Sequence, residues 1–383
     1  MKGKNIPNIH RHNPPEWFKK SDFGIFIHWG PYSVPAFAPA ETEDFAAILR
    51  TKSPGYLFAN QPYAEWYKNS MMIKNSPVYK FHKNHYGDMP YEEFAKTFKR
   101  TAKNVDVEEW ALLFRSAGAK YVVVVTKHHD GFVMYNTRHK NPRVGGYNLD
   151  FDFVGDLARA CRARGMRFGV YYSSLLDWTF TDKPITKVSE LFLCNNNSRE
   201  YMDYCRNHWL ELIERYKPDI LWSDIGYPAD SRLEDLFRYY YEQVPEGVVN
   251  DRWTQFPNWL RNSLGRKLLD MLAAKWMKAG GDYDVKYYDY RTIEYTSEWK
   301  RNDIWFEMCR GMDKSFGYNK YSNPKDFITV EEVIKTIDEI YPKKGRLLLN
   351  VGPDENGTIP EYQRKLLTDL QNYKNMNKCS YNN

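Results

Sequence analysis

Eight short runs rich in β-branched and aromatic residues are spread along the 383-residue chain, and stretches of helical periodicity separate most of them. That alternation reads as βα units feeding a parallel sheet. The strand candidates are FGIFIH (23–28), KYVVVV (120–125), MRFGVYYS (166–173), DILWSD (219–224), GVVND (247–251), RTIEY (291–295), DIWFEMCR (303–310) and RLLLNV (346–351). KYVVVV is apolar at almost every position, as a strand buried on both faces requires. Helices are predicted for VEEWALLFRSAG, for DFVGDLARACRARG with Gly165 as its C-cap, near 199–216 and 231–244, and from about 360. TVEEVIKTIDEIY adds another, opened by a Thr329–Glu332 capping box. The pattern predicts an α/β fold of the closed (β/α)8 TIM-like barrel type rather than an open doubly wound sheet.

Several function classes drop out at this stage. No GxGxxG follows a strand and no GxxxxGK[ST] occurs, so a nucleotide cofactor is disfavoured and none is expected. The net charge of +6 comes from scattered basic residues, which gives a weak footprint for nucleic acid. A hydrophobic fraction of 42% with 27% charged residues is that of a folded soluble protein, and no apolar run is long enough to span a membrane. The five cysteines (Cys161, Cys194, Cys205, Cys309, Cys379) form no CxxC pair, so they read as buried or free thiols. The amino terminus lacks the apolar stretch of a secretory signal, so the chain as written is expected to be cytoplasmic, with export left open for a trimmed form. Aromatic content is high, with 30 Tyr, 21 Phe and 12 Trp. Such residues suit a core wall, a subunit interface or a sugar site.

In a barrel the working groups sit at the C-terminal ends of the strands. Those positions hold His28-Trp29, His128-His129-Asp130, Tyr171-Tyr172, Asp224, Asp251-Arg252-Trp253 and Glu294. The histidines fall in no HxH or HExxH pattern, which favours hydrogen bonding to a hydroxylated ligand over a metal, and no metal site is expected. Adjacent His128 and His129 would point to opposite sides of a strand unless the chain has already turned. Asp224 ends an apolar strand with no helix start until about 231, so it reads as a carboxylate aimed into the mouth rather than as an N-cap. A second carboxylate could be Glu294, Glu65, Glu307 or Asp251. Two such groups about 5–5.5 Å apart suit retaining glycoside cleavage.

Taken together, WFKKSDFGIFIHWGPYSVP, NQPYAEWY, GAKYVVVVTKHHDGF, RFGVYYS, DILWSDIGYP, VNDRW, RTIEY, SFGYN and LLLNVGPDENGTIP resemble, in order and spacing, the α-L-fucosidases of glycoside hydrolase family 29. The resemblance runs from about Trp17 to about Arg364. It implies a (β/α)8-like catalytic domain that hydrolyses terminal α-L-fucosides of oligosaccharides or glycoconjugates with retention, through a covalent intermediate and without a cofactor. By the same resemblance Asp224 is the nucleophile and Glu294 the acid/base, with Glu307 as rival. The sugar pocket falls on His28, Tyr63, Glu65, Trp66, His128, His129, Tyr171, Trp222 and Arg252. The alternatives are a non-catalytic fucose-binding protein, a different retaining glycosidase or a transfucosidase.

Three departures from the family accompany this reading. The chain is expected to be one catalytic domain, 1–383, without the C-terminal β-sandwich of many members. An apparent insertion at about 254–289, containing SLGRKLLDMLAAKWMKAGG, reads as a barrel helix, a lid or a subunit contact, with a homo-oligomer left open. YLFANQ stands where some relatives offer a tryptophan, so Leu57 or Phe58 would form that wall.

Overall fold

The computed structural model describes residues 12–380 apart from 41–42, 44–46, 49–50, 194–197, 230–231, 279–284, 300 and 302, and the side chains of 273–278 and 375–380 are also left aside. Cys194, residues 279–284 of the 254–289 segment and the first eleven residues therefore lie outside the described residues, as does the side chain of Cys379. Cys161, Cys205 and Cys309 are buried free thiols.

Eight parallel strands form one sheet: β1 (Phe23–Ile27), β2 (Tyr121–Lys127), β3 (Arg167–Ser173), β4 (Ile220–Asp224), β5 (Val248–Val249), β6 (Arg291–Glu294), β7 (Phe306–Arg310) and β8 (Gly345–Val351). The ladder order is β5-β4-β3-β2-β1-β8-β7-β6, so first and last strands pair and the sheet curls into a TIM-like barrel. The seam lies between β5 and β6. There the Asp289 N–H donates to the Val249 carbonyl (2.9 Å), and the Asp289 carboxylate accepts from Val249 N–H (2.7 Å) and the Tyr241 hydroxyl (2.8 Å).

Helices follow the strands as the periodicity predicts. Val107–Ser116 precedes β2, Phe153–Ala163 and Arg199–Tyr216 flank β3, and Leu233–Gln243 leads to β5. Val330–Ile340 carries the expected Thr329–Glu332 capping box, and Glu361–Ser380 follows β8. Gly165 lies one residue past the Arg164 cap in the left-handed conformation, φ 72°. Among the described residues no helix lies between β6 and β7. Pro54–Asn60, Tyr67–Ser70, Pro77–Tyr86 and Glu92–Thr101 sit in the long connection from β1 to β2.

Strand periodicity divides the core in two. On β2, Tyr121, Val123 and Val125 face the barrel interior with Phe26, Tyr171, Ile220, Trp222, Cys309 and Leu348, while Val122 and Val124 face the helices. Gly24 is needed opposite Tyr121, since a Cβ there would lie 2.4 Å from the phenol ring. The same alternation removes several mouth candidates. Trp29, Tyr172 and Trp253 point outward into the helix layer, where the Tyr172 hydroxyl pairs with His208 Nδ1 (2.9 Å). Among the described residues no helix is long and apolar enough to cross a membrane.

Candidate active site

Asp224 is the last residue of β4 and its side chain keeps 10% of its surface exposed. The first helix after it starts at Leu233 with Arg232 as N-cap, so Asp224 caps nothing. Its Oδ2 accepts from the Tyr171 hydroxyl (2.7 Å) and its Oδ1 from Arg252 Nη1 (2.9 Å), with His129 Nε2 3.7 Å from Oδ2. Burial alone would raise its pKa. The Arg252 charge, His129 and the two donated hydrogen bonds outweigh burial and hold it below the ordinary aspartate value. The group stands ready as an anion.

Glu294 ends β6 on the other side of the seam, with its side chain 25% exposed. Arg252 joins the two carboxylates: Nη2 pairs with Glu294 Oε1, Nε donates to Thr292 Oγ1 (3.0 Å), and the guanidinium lies over the Trp222 ring, 4.8 Å from its centroid. The Tyr63 hydroxyl reaches Glu294 Oε2 at 3.4 Å. A shared backbone feature marks both carboxylates. Each is followed by a non-glycine residue in the left-handed region, Ile225 (φ 63°) after Asp224 and Tyr295 (φ 54°) after Glu294. A β-branched residue there is strained by about 1–3 kcal/mol, and such strain concentrates at working sites.

The other carboxylates separate by environment. Glu307 is fully buried on β7, and its oxygens accept from the Tyr121 hydroxyl (2.7 Å) and the Trp222 indole (2.9 Å). It lies below the mouth, since Thr292 is its partner in the ladder while Glu294 pairs with Cys309. Asp251 accepts from Thr292 Oγ1 (2.6 Å) and pairs with Arg291 Nε (2.7 Å), bracing the seam. Glu65 is buried, accepts from Gly317 N–H (2.7 Å), and burial pushes its pKa up to about 8. It therefore carries a proton at neutral pH and can donate to a ligand hydroxyl.

The three histidines gather at the mouth. His128 and His129 lie just past β2 where the chain has turned, with Gly131 N–H bonding the His128 carbonyl, so both rings face the site 4.0 Å apart. The His28 and His128 rings are 5.6 Å apart. Burial lowers the pKa to about 4 for His28 and about 3 for His129, and lowers that of His128 well below its ordinary value, so all three are neutral imidazoles. His28 Nδ1 meets Asn350 Oδ1 (2.6 Å) and His129 Nδ1 meets Ser173 Oγ (2.6 Å), which leaves the other ring nitrogens for a ligand or for Asp224. Among the described residues no three His, Cys, Asp or Glu side chains are grouped to hold a metal ion.

Aromatic rings close the pocket. Tyr171 stacks on Trp222 (5.3 Å, 27°), and Trp66 lies edge-on to His129 (5.2 Å). Phe58, rather than Leu57, joins this cluster against Trp66 (6.0 Å). Phe316, beside His28 (5.0 Å) and Tyr63 (5.4 Å), was not singled out from the sequence, and neither was Asn350. Both sit inside motifs, SFGYN and LLLNV, at the mouth end of the barrel, which is the signal that marks them.

A TIM-like barrel whose mouth gathers an ionised aspartate, a second carboxylate and neutral hydrogen-bonding groups among aromatic rings defines a glycoside hydrolase. The chain matches the family model described as Alpha-L-fucosidase over residues 2–378. It is 30% identical to tissue alpha-L-fucosidase of Rattus norvegicus, covering 94% of this chain and 68% of that protein, and likewise to that of Homo sapiens. Among solved structures, the Thermotoga maritima alpha-fucosidase in complex with a mechanism-based inhibitor is 40% identical with a TM-score of 0.77, covering 94% of this chain and 74% of that one. This chain belongs to the α-L-fucosidase family.

Proposed function

We propose that this protein cleaves terminal α-L-fucosides of glycans with retention, using Asp224 as nucleophile and Glu294 as acid/base. The carrying observation is the Arg252 guanidinium held between two carboxylates, each at the end of its strand and each followed by a left-handed residue. An Asp224 oxygen attacks the anomeric carbon as the bond to the leaving oxygen breaks, and Glu294 delivers a proton to that oxygen. A water then gives its proton to Glu294 and attacks the same carbon, and the Asp224 carboxylate leaves. Arg252 keeps Asp224 anionic before attack and stabilises the charge that returns to it.

The pocket chemistry supports a neutral, hydroxylated sugar with one apolar patch. His28, His128, His129 and protonated Glu65 offer hydrogen bonds without a net charge, and Tyr171, Trp222, Trp66 and Phe316 offer apolar surface. Hydroxyl partners of this kind discriminate strongly against analogues that lack them, whereas the methyl group of fucose contributes about 1–3 kcal/mol of selectivity.

The test follows hydrolysis of an aryl α-L-fucoside by NMR, beside a panel of other aryl glycosides. The first-formed product should be the α anomer of fucose, and the other glycosides should react at least a hundredfold more slowly. A β first product, or equal rates on another sugar, would overturn the proposal.

A further inference from the structure

We infer that Ile225 after the nucleophile, Phe192 in the loop after β3 and Phe256 in the segment joining β5 to β6 form an apolar wall, a leaving-group subsite beside the nucleophile. This inference rests on the glycosidase reading of the mouth and adds what lies on the far side of the bond being cut.

The wall begins one residue after Asp224. Ile225 is half-buried, is held at φ 63°, and packs with Leu191 against the aromatic cluster of the sugar pocket. Its N–H donates to Asp224 Oδ1 (2.9 Å), so its side chain and the attacking carboxylate are fixed relative to each other. Gly226 follows at φ 133°, and a Cβ there would lie 2.6 Å from the Thr254 carbonyl and 3.6 Å from the Phe256 ring. The β5–β6 segment therefore rests directly on the turn that follows the nucleophile.

Its position is secured from two sides. Tyr227 N–H donates to the Thr254 carbonyl (2.9 Å), and the Gln255 amide donates to the Pro228 carbonyl (2.8 Å). On the other side the helix Ser263–Lys278 is anchored to the short helix Val188–Leu193, which lies in the loop after β3. Asp270 accepts from Ser189 N–H (2.7 Å) and Oγ (2.9 Å), and Arg261 Nη1 donates to the Leu193 carbonyl (3.1 Å). The stretch thus rests on the loop that follows β3. Phe192 and Phe256 then stack across the join, centroids 4.7 Å apart at 29°.

Phe192, Ile225 and Phe256 all keep part of their surface exposed beside the mouth. Half-exposed apolar side chains at that place suit a group with a flat apolar face and few charges. Two sources offer such a face, an aromatic aglycone and the hydrogen-bearing face of a pyranose.

The test compares Phe256→Ala with the parent on α-L-fucosyl fluoride, an activated aryl α-L-fucoside and a fucosyl disaccharide. Fluoride carries no group to touch the wall, and neither it nor the aryl substrate depends strongly on the general acid. The aryl-to-fluoride ratio of kcat/KM should fall at least fivefold, mainly through KM, and Phe256→Leu should recover part of it. Loss on the disaccharide as well assigns the pyranose, and loss on the aryl substrate alone assigns the aromatic aglycone. An unchanged aryl-to-fluoride ratio, including one in which both rates fall in step, overturns the wall. A parent protein that turns over none of the three would instead break the assignment of the site, and the wall with it.

Discussion

The barrel buries carboxylates and guanidinium groups at two levels, and the same chemistry serves different ends at each. At the mouth, Arg252 is paired to both Asp224 and Glu294, and those carboxylates retain a little exposure. At the floor, Glu307 and Arg346 are fully buried, and they sit side by side in the β7–β8 ladder. Glu307 spends its oxygens on neutral donors from Tyr121 and Trp222. The Arg346 guanidinium lies 3.4 Å over the ring of Phe18, a residue of the short helix Glu16–Lys19 that packs with the barrel interior, and burial brings its pKa down to about 10. A group sealed in this way holds the interior together, whereas one that ends a strand at the rim can meet a substrate. The contrast teaches that access and a strained following residue, rather than burial or a shifted pKa, separate the carboxylates proposed to act on substrate from structural ones.

The sharpest way to break the contrast is Asp224→Ala. Removing the attacking oxygen should lower kcat on an aryl α-L-fucoside by on the order of a thousandfold or more, with the circular dichroism spectrum unchanged. Added azide can then attack the fucoside directly, and the product should be the inverted β-L-fucosyl azide. Activity within tenfold of the parent would move the nucleophile to another mouth carboxylate, Glu65 or Asp251.

Glu294 and Glu307 form the next comparison, because they lie on neighbouring strands and only Glu294, which ends β6, reaches the rim, whereas Glu307 is the second residue of β7. Glu294→Ala should lower disaccharide hydrolysis by about 10²–10⁴-fold while sparing activated aryl fucosides, whose leaving groups need little protonation. Azide should now trap the fucosyl-enzyme and give the retained α-L-fucosyl azide. Glu307→Ala should act on stability instead, since it leaves a buried hydroxyl and an indole N–H without their acceptor at about 1–3 kcal/mol each. Chemical denaturation of the two variants checks this. An azide-rescued Glu307→Ala beside an unaffected Glu294→Ala would exchange their roles.

How much of this was legible in the sequence follows the same division. All eight strands were readable, most of them because parallel strands buried on both faces appear as apolar runs, and Asp224 stood out as a charge closing such a run. β5 shrinks from the five residues of GVVND to Val248–Val249, because Asn250 bonds Ser223 and Asp251 braces Thr292 rather than extending the ladder. Periodicity placed polar residues at strand ends but not the point where each strand turns. Trp29, Tyr172 and Trp253 therefore shared a place with His28, Tyr171 and Arg252 until the alternation of faces divided them. Nor does spacing encode a contact across the seam: Arg252 and Glu294 lie 42 positions apart and meet only because the barrel brings β5 and β6 together.

The smallest expected effect concerns two mouth carboxyls that stand in opposite protonation states. Asp224 is held ionised by Arg252, whereas burial keeps Glu65 protonated up to about pH 8 against an ordinary value of 4.5. Between those values the folded protein holds a proton on Glu65 that the unfolded chain has released. The stabilisation is therefore full below about pH 4.5 and is lost as pH rises through 8. His28 and His129 act in the opposite sense, because burial keeps them neutral down to about 4 and about 3 while the unfolded chain takes up protons near 6.5. Their contribution is present above 6.5 and is lost as pH falls. Urea denaturation of Glu65→Gln across pH 5 to 8.5 isolates the Glu65 contribution, since the amide has no proton to lose and leaves that of the histidines intact. The alkaline decline of the parent should flatten in the variant while the acid decline stays. Parallel curves would mean that Glu65 is ionised at neutral pH, and the hydrogen bond offered to the sugar would then have to come from the imidazoles alone.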